Sequence, residues 1–161
     1  MSKNNNILFS ASTMPSFGLK DDLVEKGICV YSDGRMVRQK LMDDMILNEE
    51  LIVSSEELAF YVSQVLVFYR DIYDVIENLP TLLKCYVLDG SQESFQFGNK
   101  KVITWCIARH KVDETLAVNE KYKDMVEMQK FQNNILDIYD EMARVINTYQ
   151  DVVHLPTSYE V

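Results

Sequence analysis

The sequence predicts an α+β fold: an antiparallel β-sheet of about five or six strands with two long helices packed on one face, in the order βββ–α–βββ–α. Three observations carry that expectation. Two long stretches repeat their apolar residues at steps of three and four, the period of one helical face. Short β-prone runs flank Asp33-Gly34 and Gly98-Asn99-Lys100, which are hairpin signals. Two helices with wide apolar faces need a common surface to bury them, and a sheet with both on one side is the economical arrangement. The chain has 161 residues, 47% of them hydrophobic, which suits one domain over 1–161 with a real core. Residues 1–6 and 150–161 are polar or aperiodic and are expected to be loosely ordered.

Ile7–Thr13 reads as the first strand, and the Ser-, Thr- and Pro-rich stretch after it as a loop. Gly27–Ser32 and Met36–Met42 form a hairpin around Asp33-Gly34, where a type I′ turn needs positive φ at both central residues. Residues 43–53 are ambiguous between an acidic loop with a short strand and a turn of helix. The first helix is expected over Ser54 to Leu79. Ser54 and Glu57 stand at the capping-box spacing, and Asn78 and Pro80 mark the far end. Its core face is Leu58, Val62, Val65, Tyr69, Ile72 and Ile76, widened by a second stripe of Tyr61, Phe68 and Val75.

Leu82–Leu88 reads as a strand. Ser94–Phe97 and Lys101–Ala108 make the second hairpin. A three-residue loop there pairs Phe97 with Lys101 and Phe95 with Ile103. That register puts Phe95, Phe97, Ile103, Trp105 and Ile107 on the core face. It leaves Val102, Thr104, Cys106 and Ala108 as a second apolar face, to be covered by more chain or used as an interface. The last helix starts between Asp113 and Asn119 and runs to about Tyr149. Its seam is Tyr122, Met125, Met128, Phe131, Ile135, Ile138, Met142, Val145 and Tyr149. Each half of the chain has an Asp-Gly turn, a hairpin and a long helix, with no residue-level repeat.

The net charge is −9. Phosphate neutralisation requires Lys and Arg, so this balance argues against a nucleic-acid partner. No apolar run reaches the roughly 18 residues of a membrane span, and the N-terminal stretch is too weak for a signal peptide. A cytoplasmic protein is expected. Cys29, Cys85 and Cys106 read as buried free thiols. His110 and His154 have no second ligand at metal spacing, and His110, between Arg109 and Lys111, is expected to be exposed. Neither a nucleophile motif nor a phosphate-binding glycine pattern is present. No catalytic residue, metal or cofactor is therefore expected.

The leading functional expectation is a non-enzymatic, acidic protein-interaction module. An inhibitor of the immunity type or a phage-borne anti-defence protein would fit. Its partner would be a protein with a basic surface. Steering would come from Asp43, Asp44, Glu49 and Glu50, and affinity from an aromatic anchor among Tyr31, Tyr86 and Phe17. The oligomeric state is left open between a monomer and a homodimer through the second sheet face or the second helix. The alternatives are a small-ligand binding domain with a pocket between sheet and helices, and an enzyme with an unrecognised site.

Overall fold

Alternation along Ile7–Met14 (β1) sends Phe9 and Ala11 to one side, where both are buried. The computed structural model describes residues 6–14, 25–42, 46–70, 92–105 and 107–149. Within them the strands β2 (Glu25–Tyr31), β3 (Arg35–Met42) and β4 (Ile46–Ser54) follow β1, and α1 (Glu56–Phe68) comes next. Then come β5 (Gln92–Phe97), β6 (Lys100–Trp105), a 3-10 turn (Glu114–Val118) and α2 (Glu120–Asn147). All pairings are antiparallel, in the order β4-β3-β2-β1-β5-β6. The protein is an α+β fold with a six-stranded sheet, and the ambiguous stretch after residue 43 supplies the marginal strand β4. The expected strand Leu82–Leu88, the end of the first helix and the tail from Gln150 lie outside the described residues.

One core unites the sheet's inner face with both helices. Phe9, Val30, Met36, Phe95, Phe97 and Val102 meet Leu58, Val62 and Val65 of α1, and Phe131, Ile135, Ile138, Tyr139 and Met142 of α2. The Tyr139 ring stands edge-on to Phe95 with centroids 5.8 Å apart, while Phe9 stacks on Phe97 at 5.9 Å. The helices run antiparallel: Tyr69, just past α1, feels the charges of Asp137, Asp140, Glu141 and Arg144, while Tyr149, just past α2, bonds to Ser55 and Glu57. The α2 seam differs from expectation in its first half, where Val126 is buried and Met125 is 42% exposed.

Both hairpins correct the sequence reading. In the first, Gly34 N–H donates to the Tyr31 carbonyl (3.0 Å) and Gly34 itself has φ +88°. The loop is thus Ser32–Gly34, three residues, instead of a two-residue type I′ turn. A Cβ on Gly34 would fall 2.4 Å from the Ser55 carbonyl oxygen, and Ser55 N–H donates to the Gly34 carbonyl at 2.8 Å. The hairpin tip therefore rests on the entry to α1. Ser55 is the N-cap of that helix, without a side-chain cap bond, and Ser54 is the last residue of β4.

In the second hairpin Phe97 pairs with Lys100 and Phe95 with Val102, a two-residue Gly98-Asn99 loop with Gly98 at φ 61°. The register is one residue from the expected one, and such a slip turns every side chain of the strand over. Val102 and Thr104 face the core, 3% and 1% exposed, so of the two outcomes expected for that face, cover by more chain or use as an interface, the first is found, and Ile107, just past β6, is buried in the core as expected.

Thr104 begins a polar seam under α2. Gln132 Nε2 donates to Thr104 Oγ1 (3.2 Å), and Gln132 Oε1 lies 2.6 Å from His110 Nε2. Asn133 clamps the His110 backbone from both sides, accepting from its N–H (2.8 Å) and donating to its carbonyl (2.9 Å). Arg109 reaches Asp137 and Asp140. Buried Glu93 accepts from Ile107 N–H at 3.2 Å. His110 is therefore half-buried and held, where the sequence suggested exposure. Asn119 caps α2 by accepting from Lys121 N–H at 3.0 Å. Among the described residues no helix is long and apolar enough to cross a membrane.

Candidate interaction surface

Strand alternation places Cys29 and Tyr31 of β2 on the sheet face away from the helices, with Val37 of β3 beside them. The β3–β4 register then sets Gln39 opposite Glu49 and Arg38 opposite Glu50. Consecutive residues on a strand point to opposite faces, so the two carboxylates leave the marginal strand on its two sides. The Tyr31 hydroxyl donates to Glu49 Oε1 at 2.8 Å, and Gln39 Nε2 donates to the same oxygen at 3.3 Å. Glu50 is met by Arg38 Nη1 at 3.3 Å, with both side chains more than half exposed. Leu51, on the Glu49 side with Val37, is 59% exposed.

Tyr31 is itself supported. The Arg35 guanidinium lies 4.5 Å over its ring, a cation–π contact. Arg35 is fixed in turn by Asp33, with Nε donating to Oδ2 at 2.7 Å and the backbone N–H to Oδ1 at 3.1 Å. Burial, and next the hydrogen bond to Glu49, push the Tyr31 phenol well above the usual tyrosine range. Burial pushes the Cys29 thiol up to about 11, against an opposing hydrogen bond from Tyr31, with the Glu49 charge adding to the rise. A thiol so held is protonated and unreactive at neutral pH.

The expected site residues therefore divide. Tyr31 and Glu49 are brought together by a direct hydrogen bond, and Glu50 stands next along the strand. Tyr31 is 8% exposed, so it is a post that positions Glu49 and not a protruding anchor. Asp43, Asp44, Tyr86 and Phe17 lie outside the described residues, as do Cys85, Cys106 and His154. Among the described residues, no three of His, Cys, Asp and Glu converge as metal ligands would.

The sequence reading missed a second surface. Tyr61 and Phe68, assigned to the core stripe of α1, are 48% and 79% exposed, as are Phe60 at 59% and Val67 at 66%. An open groove runs beside them to α2, lined by Gln64, Val65, Val67, Phe68 and Tyr69, with the ion-paired Glu141 and Arg144 on its bank. The signal was present in the sequence, since α1 carries apolar residues on two sides and only one can face the sheet. No protein-family model and no curated protein matches the sequence.

Proposed function

We propose that the protein works by binding another protein, with β4 as the contact and a basic surface on the partner. The observation that carries this reading is the Tyr31–Glu49 hydrogen bond at the margin of the sheet, beside exposed Leu51. A carboxylate held in one rotamer loses less entropy on meeting a cation than a free one does, and a neighbouring leucine adds apolar area. Glu50 offers the opposite side of the same strand. The net charge of −9 speeds encounter with a basic partner and slows it with an acidic one. An inhibitor of the immunity or phage-borne anti-defence type would use such a surface to occupy its target. A cytoplasmic setting goes with this reading, because Cys29 is a buried free thiol of the kind a reducing compartment preserves.

The test is affinity capture from the native source, followed by binding kinetics of the captured partner with native protein and the Glu49→Gln/Glu50→Gln variant. This pair removes charge and keeps shape. The expected result is an association rate lower by about tenfold and a flatter dependence on salt. An unchanged rate and an unchanged salt slope would remove β4 from the interface.

A further inference from the structure

The outer face of α1 is chemically unlike β4 and independent of it. Phe60, Tyr61, Gln64, Val67 and Phe68 fall within an arc of about 120°, turned roughly 130° from the Leu58–Val62–Val65 stripe at about 100° per residue. All five are exposed. Their spacing is symmetric: Phe60 and Phe68 are equally far from Gln64, and so are Tyr61 and Val67. Under a two-fold axis through Gln64 an antiparallel copy sets Phe60 against Phe68, Tyr61 against Val67 and Gln64 against Gln64. A two-fold interface demands this reciprocity, in which residue i meets j and j meets i.

The groove provides room for the same pairing. It flanks the second half of α1, and an antiparallel copy lays the first half of its own α1 there. The copy's Phe60 and Tyr61, which already pack edge-to-face at 5.5 Å, would be brought alongside it. The area suffices. With aromatic side chains of about 150–250 Å², these exposures put roughly 500 Å² of apolar surface on each copy. A pair would bury roughly 1,000 Å² through these side chains alone, the threshold for a specific interface.

We infer that the outer face of α1 is a homodimer interface, a second copy of this chain docking antiparallel across an axis at Gln64. Each copy carries −9, so the apolar contact forms against mutual repulsion, and added salt screens that repulsion. Dimerisation therefore strengthens with salt.

The experiment is sedimentation of the full chain at rising concentration and salt, with three variants. Native protein is expected to dimerise, more tightly at high salt. Phe60→Ser/Phe68→Ser is expected to weaken the dimer by at least about tenfold with the melting temperature of the monomer kept. Gln64→Cys, on the axis, should crosslink to its own copy under a mild oxidant, while Lys123→Cys and native protein should not. A protein that stays monomeric at every salt concentration overturns the inference, whether its own chain or a different protein covers α1. So does a dimer indifferent to the Phe60→Ser/Phe68→Ser change, or a Gln64→Cys chain that fails to crosslink.

Discussion

At the β4 margin two exposed carboxylates are tied down beside Leu51, whereas on the outer side of α1 apolar side chains are arranged in mirror order about Gln64. Glu49 takes two hydrogen bonds from strands β2 and β3, and Glu50 takes an ion pair. The rings of Phe60 and Phe68 stand edge-on to their neighbours Tyr61 and Tyr69. Charge acts at a distance and weakens with salt, while apolar area acts only on contact and resists it. The proposed partner contact and the proposed dimer are therefore expected to answer ionic strength in opposite directions, so one titration with salt separates the two.

The sharpest way to test the contrast lies within α1, where two apolar sides differ only in what they touch. Leu58→Ala removes a fully buried side chain and is expected to cost about 2–5 kcal/mol in urea denaturation. Phe60→Ser, two residues on and about 200° around the helix, should stay within about 0.5 kcal/mol for the monomer. A large loss at Phe60 would mean that this side is core and would end the comparison.

Gly34 links the two regions, because the β2–β3 hairpin that positions Tyr31 also abuts the start of α1. Gly34→Ala needs a positive φ from an alanine and a Cβ where the Ser55 carbonyl stands. A loss of about 1–3 kcal/mol is expected, with heavier hydrogen exchange at both Tyr31 and the first turn of α1. Loss at only one of the two places would show that they are uncoupled.

Tyr31→Phe is smaller, about 1 kcal/mol in stability from one missing hydrogen bond. Its larger consequence is on binding, because Glu49 loses its post. Cys29, in the same cluster, carries a pH dependence. The native state holds the Cys29 proton more tightly than the unfolded chain, with the thiol raised from 9.0 to about 11. Stability present below pH 9 is therefore lost as pH climbs toward 11, and Cys29→Ala should flatten that part of the profile. A profile identical in both proteins would mean that the thiol is not buried as described.

Much of this architecture was legible from residue order, and the gaps have identifiable causes. Gly34, Gly98 and the short apolar runs placed β1, β2, β3, β5 and the start of β6 to within a few residues, while β4 stayed ambiguous. The length of α2 followed from an apolar period uninterrupted by Gly or Pro. The register of β6 did not follow, because Val102 and Thr104 on one side and Ile103 and Trp105 on the other are both apolar enough to face a core. A single residue of loop decided between them. Tyr61 and Phe68 were assigned inward for the same reason: α1 has apolar residues on two sides, and periodicity cannot rank them. The Tyr31–Glu49 bond needed the β3–β4 register, which shifts at a bulge between Met36 and Val37. Nothing local announces that bulge.

The seam of Thr104, Gln132, His110 and Asn133 has a consequence for how tightly α2 is indexed. A helix resting on leucines, valines and phenylalanines alone could creep along the sheet by one turn at modest expense, since one greasy contact replaces another. Here such a slip would strand the Gln132 amide and both halves of the Asn133 clamp, at about 1–3 kcal/mol for each group left dry and unmatched. The amides thus act as a detent that sets the axial position of α2, and α1, lying against it, inherits that setting.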